Sequence, residues 1–301
     1  MADIIGKEAA ASGSKRVNPF DFSTQPDIAW CPGCGDFPIR NALLAALDEL
    51  EIERKNLVMV SGIGQAAKMP QYVNSSFFNG LHGRGLPAAQ GIKSSNPNLT
   101  VIAEGGDGDM YGEGGNHFLH ATRRNSDITL FVHSNLIYGL TKGQAAPTSH
   151  IGLTTPIQVG GVFEKPLNPV SLAIALDVCF VARAFSGDID KLKAIMKLAI
   201  QHKGFALVDI FQPCVTFNKL NTFQWFRQNT YYLPSDYDPA DRMAAFGKAQ
   251  EESPWPLGVL YQSKHRTSFE DNQAIYRRSD SPLWQRHHNS EKLAELIRSK
   301  R

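Results

Sequence analysis

Two short stretches of this chain carry residues of the type and spacing needed to hold a charged ligand. The first is Gly105-Gly-Asp-Gly-Asp109 and the second is Asn135-Leu-Ile-Tyr-Gly139. Thr100 to Glu104 reads as a short buried strand that runs into the glycines. Backbone N–H groups are therefore uncovered where a helix is about to begin, and such a junction favours an anion. Asp107 offers a carboxylate oxygen at that point. Asp127 to Ser134 reads as a second strand, with the amide oxygen of Asn135 at its end. Magnesium takes a few hard oxygens from protein and fills its octahedron from phosphates and water. Two strand ends separated by one crossover helix can meet over one ion at the carboxyl edge of a parallel sheet. The pattern is that of a magnesium ion held against a diphosphate at a solvent-facing sheet edge. Gly-Asp-Gly alone is equally the chemistry of a turn. Asn135, together with the glycine-broken polar run Tyr138 to Gln144, turns the reading towards a ligand.

Sulfur supplies the next candidates. Cys31 and Cys34 flank a Pro-Gly turn that can aim two thiolates at one centre, and Cys214 lies far along the chain. Such thiolates suit an iron–sulfur cluster or, alternatively, zinc. Cys179 opens an apolar run and reads as a buried structural thiol. Four cysteines of this kind do not suggest a disulfide framework, and a metal or redox use in an intracellular chain is expected.

In this context the block Asn135-Leu-Ile-Tyr-Gly-Leu-Thr-Lys-Gly-Gln144 resembles the diphosphate-binding signature of thiamine diphosphate enzymes, and specifically the β subunit of the 2-oxoacid:ferredoxin oxidoreductases. Trp30-Cys-Pro-Gly-Cys-Gly-Asp36, Ser61-Gly-Ile-Gly64, Leu81-His-Gly-Arg84, Gly114-Gly-Asn-His117 with Arg123-Arg-Asn125, and Gln212-Pro-Cys-Val-Thr-Phe-Asn218 follow in that family's order. The resemblance covers most of the chain. It implies that Asp107, Asn135 and the main-chain carbonyl of Ile137 hold Mg²⁺. It also implies that Ile63, Gly64, Gln65, Ala66, Gly108, Asp109, Gly139 and Leu140 contact thiamine diphosphate. Lys68 matches a position associated with the substrate carboxylate, and Lys142 one associated with coenzyme A. His82 and Arg84 fall near cofactor and substrate, although a polar turn before a helix explains them as well. Cys31, Cys34 and Cys214 match three cluster ligands. The family's remaining cysteine is Gln65 here, which leaves open a cluster with an exchangeable fourth ligand, a three-iron form, or no cluster.

The implied reaction is oxidative decarboxylation of a 2-oxoacid, with 2-oxoglutarate favoured. The acyl group passes to coenzyme A and electrons pass through an iron–sulfur cluster to ferredoxin. A separate α subunit supplies the glutamate that activates the pyrimidine ring, so this chain is expected to be inactive alone. Two rivals stand beside this reading: a non-oxidative thiamine diphosphate decarboxylase, which Gln65 favours, and a zinc-stapled non-catalytic subunit.

The elements that must position these groups follow from the apolar pattern. The 301 residues are 42% hydrophobic, enough to bury a full core. Helical spacing marks 36–50, 84–95, 112–124 and 189–202, and strand-like runs mark 57–60, 100–104, 127–134, 180–185 and 205–211. Short apolar strands between amphipathic helices predict an α/β fold, a three-layer doubly wound parallel sheet of the thiamine diphosphate-binding type. The organisation expected is an N-terminal segment 1–29, a cofactor-binding domain 30–232 and an arm 233–301 against a partner subunit, ending in a helix over 290–301. The loop 139–167 is long and reads as functional. A net charge of +2 leaves no electrostatic footprint for nucleic acid. No apolar run approaches the roughly 20 residues of a membrane span. Residues 1–15 lack the apolar core of a secretory signal, so a cytoplasmic location is expected.

Overall fold

The computed structural model describes residues 18–24, 26–263 and 266–300, so the reading of residues 1–15 and the last residue of the expected C-terminal helix lie outside it. The chain runs α1 (Asp36–Glu49), β1 (Leu57–Ser61), β2 (Ser76–Asn79), α2 (Gly85–Ser95), β3 (Thr100–Gly106), α3 (Gly115–Arg124) and β4 (Thr129–Ser134). It continues through α4 (Pro169–Ala175), β5 (Phe180–Phe185), α5 (Ile189–Gln201), β6 (Ala206–Phe211), α6 (Phe223–Gln228), β7 (Thr230–Tyr232), α7 (Arg242–Ala249), β8 (Trp255–Gln262), α8 (Phe269–Asn272) and α9 (Ser290–Arg298).

One sheet orders its strands β2-β1-β3-β4-β6-β5-β8-β7. Pairing is parallel from β2 to β5, and β8 joins β5 antiparallel. β4, β5 and β6 are buried along their whole length, which explains why they read as largely apolar runs, interrupted by His133, Arg183 and Asp209. Successive side chains leave opposite faces of each strand. Phe131, Ala182 and Val208 therefore pack with Leu43 and Leu47 of α1 and with Leu192 and Met196 of α5. Leu130, Val132, Val181 and Leu207 pack on the other face with Leu86 of α2, Phe118 of α3 and Ile174 of α4. The result is the expected three layers. From β1 the sheet grows to β2 on one side and to β3 on the other, so the order reverses between β1 and β3. Ligands of open α/β sheets bind outside the carboxyl ends at such a reversal.

Two local expectations need correction. The helix expected over 112–124 begins only at Gly115, because Gly108–Glu113 forms a wider π-type turn. The turn packs tightly against the loop after β2: a Cβ on Gly83 would lie 2.4 Å from the carbonyl carbon of Glu113. The segment past 233 reads as an irregular arm in the sequence, yet Trp255–Gln262 enters the sheet. Pro256 and Gly258 mask that strand, since proline cannot donate to a ladder.

Candidate functional site

At the β1/β3 reversal lies a cleft of about 490 Å³. It is lined by Ile63, Gly64, Gln65 and Ala66 after β1, by Asp107, Gly108 and Asp109 after β3, and by Asn135, Ile137, Gly139 and Leu140 after β4, with His82 at one side. All eight residues expected to contact the cofactor and all three expected to hold Mg²⁺ are thus together. Lys68 and Lys142 are not among the lining residues. Lys68 sits in the short 3-10 turn Ala66–Tyr72, and Lys142 is exposed with a positive φ of 77°.

Asp107 is the centre of this cleft, and it is not at a solvent-facing edge: it is 1% exposed. Its Oδ1 accepts from the Gly108 amide at 3.0 Å. Its Oδ2 accepts from the Leu136 amide at 2.9 Å and from the Thr148 hydroxyl. Burial pushes its carboxyl up to about 7, against the pull of those three hydrogen bonds. Each of those donors is neutral. A buried carboxylate served by neutral donors is matched to a cation, so the donor set fits a hard divalent ion.

Leu136 turns the chain between the two other ligand candidates. It is held at φ 60°, a conformation costly for a branched side chain. Its amide donates to Asp107, and its carbonyl accepts from the Ser149 hydroxyl at 2.6 Å. Asn135 Oδ1 accepts from the Ile137 amide at 3.1 Å, and the Asn135 carbonyl accepts from Asn218 at 3.0 Å.

Asp109 acts as a tie between loops. Its Oδ1 accepts from the amides of Ile63 at 3.1 Å and Gly83 at 2.8 Å and lies 2.7 Å from His82 Nδ1. Glycine is required opposite it, because a Cβ on Gly62 would come within 2.1 Å of Asp109 Oδ2. The Tyr138 hydroxyl donates to Glu113 at 3.0 Å and closes the far wall.

Cys31, Cys34 and Cys214 share a neighbouring cleft with Trp30, Asp36, Gln65 and Gln212. Cys34 donates to Asp36 at 3.3 Å and accepts from Gln212 at 3.2 Å, and burial pushes its thiol up. Gln65 lines both clefts, and its amide oxygen is buried with no partner among the described residues. The three thiols are brought to one cleft, but among the described residues no three metal-ligating side chains form a ready-made metal site.

Sequence reasoning missed two buried networks. His133 lies between Asp36 at 2.6 Å and Glu104 at 2.9 Å, and so joins β3 and β4 to the start of α1 beside the cysteines. Burial lowers the imidazole pKa, but hydrogen bonds and charge from both carboxylates outweigh it and lift it to about 9. Arg183, 3% exposed, faces Asp209 at 3.6 Å, and Asp209 accepts from the Tyr111 hydroxyl at 3.0 Å. A charged residue inside an apolar strand was the available signal in each case.

Residues 58–210 match the family model described as "Thiamine pyrophosphate enzyme, C-terminal TPP binding domain". Residues 214–278 match the model described as the C-terminal part of the pyruvate ferredoxin oxidoreductase β subunit. The β subunit of 2-oxoacid:ferredoxin oxidoreductase 2 from Aeropyrum pernix is 42% identical over 265 residues, covering 83% of this chain and 85% of that one. This chain belongs to the β-subunit family of the 2-oxoacid:ferredoxin oxidoreductases. The Saccharolobus solfataricus β subunit is 42% identical over 84% of this chain and 87% of its own. Among solved structures, the 2-oxoglutarate:ferredoxin oxidoreductase of Magnetococcus marinus is similar, with a TM-score of 0.86 at 34% identity over 95% of this chain and 97% of that chain. The fold expected from the sequence, and the thiamine diphosphate-binding domain with it, are therefore those of the family.

Proposed function

We propose that this chain acts with an α subunit in the oxidative decarboxylation of a 2-oxoacid, with 2-oxoglutarate favoured, to an acyl-coenzyme A and CO₂, and that ferredoxin takes the electrons. The observation that carries the reading is the convergence of Asp107, Asn135 and Ile137 with the glycine-rich loops after β1 and β3 in one cleft. In this reading Asp107, Asn135 and the Ile137 carbonyl hold Mg²⁺, and the backbone of residues 63–66, 108–109 and 139–140 carries the diphosphate. Thiamine diphosphate, when bound, supplies the electron sink for loss of CO₂. The chain binds and orients it, and the Asp109 tie keeps the loops after β1 and β2 at their spacing. His82, held by Asp109, supplies a hydrogen bond or charge beside the reacting centre. Lys68 and Lys142 act at the substrate carboxylate and at coenzyme A. The favoured substrate is supported by the 2-oxoglutarate named for the Magnetococcus marinus relative. Within residues 233–301, which also contribute β8 to the sheet, α9, with Leu293, Leu296 and Ile297 exposed, packs on a partner subunit. A cytoplasmic location belongs to the same reading.

Calorimetry of thiamine diphosphate with Mg²⁺ tests the site. Asp107→Asn keeps the side-chain shape and one acceptor oxygen but removes the charge, and it should weaken binding at least tenfold, as should Asn135→Ala. Undiminished affinity in both variants overturns the assignment.

An iron–sulfur cluster on Cys31, Cys34 and Cys214 belongs to the same reading, supported by their shared cleft. Gln65 in that cleft favours a second reading, a non-oxidative decarboxylase without an electron path. Iron and acid-labile sulfide in anaerobically purified protein separate the two; protein free of both decides for the second.

A further inference from the structure

We propose that Thr148 sets the preference of this site for a small over a large divalent cation, by limiting the Asp107 carboxylate to binding through one oxygen. The inference rests on the reading of Asp107 as a cation ligand and goes beyond it to a residue outside the ligand set.

An ionised carboxylate offers about four acceptor directions, two on each oxygen. Three are taken: Gly108 uses one on Oδ1, while Leu136 and Thr148 use both on Oδ2. The one left is on Oδ1. A cation in the cleft that Asp107 lines therefore meets a single carboxylate oxygen. Mg²⁺ demands a compact octahedron and is satisfied by one oxygen per carboxylate, whereas Ca²⁺ takes 6–8 oxygens and readily accepts both from one carboxylate. Filling Oδ2 thus penalises the larger ion.

The geometry holds the hydroxyl at that oxygen. Thr148 is buried. The next residue, Ser149, accepts from the Ala146 amide at 2.8 Å and donates to the Leu136 carbonyl at 2.6 Å. The turn that presents Thr148 is therefore pinned to the residue whose amide fills the other direction on Oδ2. Gly108 and Leu136 act through backbone amides, which every residue except proline retains. Thr148 is the one side-chain donor of the three.

The alternative is that Thr148 merely satisfies a buried oxygen. Its loss would then weaken all cations alike. The full chain is titrated with inorganic diphosphate in the presence of Mg²⁺ or Ca²⁺, a probe that requires only the cleft this chain supplies. Thr148→Ala should shift the ratio of Ca²⁺-supported to Mg²⁺-supported affinity about tenfold towards Ca²⁺, the size typical of changes behind a metal ligand. Thr148→Ser, which keeps the hydroxyl, should leave the ratio within about twofold of wild type. Thr148→Val repeats the measurement at constant volume should the alanine variant unfold. A parallel loss for both ions, or a serine variant that behaves like alanine, overturns the proposal. Wild-type chain that binds diphosphate with neither ion, or equally well as Asp107→Asn, overturns the ligand reading and the proposal with it.

Discussion

A carboxylate such as Asp107, 1% exposed and facing only neutral donors, is a costly place for a negative charge unless a cation arrives. His133 is its counterpart, an imidazole that two buried carboxylates make easier to protonate. Its folded pKa of about 9 lies above the ordinary value of 6.5. A raised histidine pKa gives stability that is complete below about 6.5 and lost as pH climbs through about 9. The thermal midpoint of the wild-type chain should therefore fall as pH rises across that window, and His133→Gln should be less stable at pH 6 yet change less between pH 6 and 9. A variant that falls as steeply as wild type places the titration elsewhere. Neither feature is legible in the sequence. Asp107 can be named as a ligand from its neighbours, but its burial depends on the 146–149 turn folding back over it. His133 looks like a strand residue until Asp36, 97 positions away, comes within reach.

Strands and their crossover helices were legible because each obeys one period, apolar runs for buried strands and helical spacing for α1 and α5. What escaped are elements whose geometry is set by a neighbour. The π-type turn at Gly108–Glu113 packs against Gly83, and β8 pairs along the free side of β5. Leu136 shows the same competition in numbers. Its left-handed backbone costs about 1–2 kcal/mol, which glycine would relieve. Its side chain is buried with Phe185, Phe211, Phe226 and Leu257, and removing a buried leucine costs about 2–5 kcal/mol. Burial wins at the middle of both ranges, so Leu136→Gly should lower stability by about 2 kcal/mol in chemical denaturation, with the slope unchanged. A neutral or stabilised variant would mean that backbone strain, not packing, dominates at this turn.

At the scale of the whole molecule, the proposed function has the cleft serve one end of its ligand. Its loops supply glycine backbone, one buried carboxylate and one amide, the equipment of a diphosphate and its ion. Among the described residues that line it, the carboxylates are Asp107, which already accepts from three donors and faces the ion site, and Asp109, which is engaged with two amides and His82. Neither is free to activate the pyrimidine ring at the opposite end of the cofactor. Beside the cleft, the 139–167 loop exposes Ile151, Ile157, Val159 and Phe163, each more than half open to solvent, a greasy edge on a chain whose core is otherwise well covered. On the proposed function, a second chain completes the site at this edge. The purified β subunit should bind Mg²⁺ and thiamine diphosphate yet show no 2-oxoacid-dependent reduction of viologen or ferredoxin. Turnover should appear on adding an α subunit that brings a carboxylate to the pyrimidine side. Changing Phe163 to Asp should weaken that reconstitution without altering diphosphate binding, since the residue is 81% exposed and outside the cleft lining. Robust turnover by this chain alone would show that the missing carboxylate is already present within it.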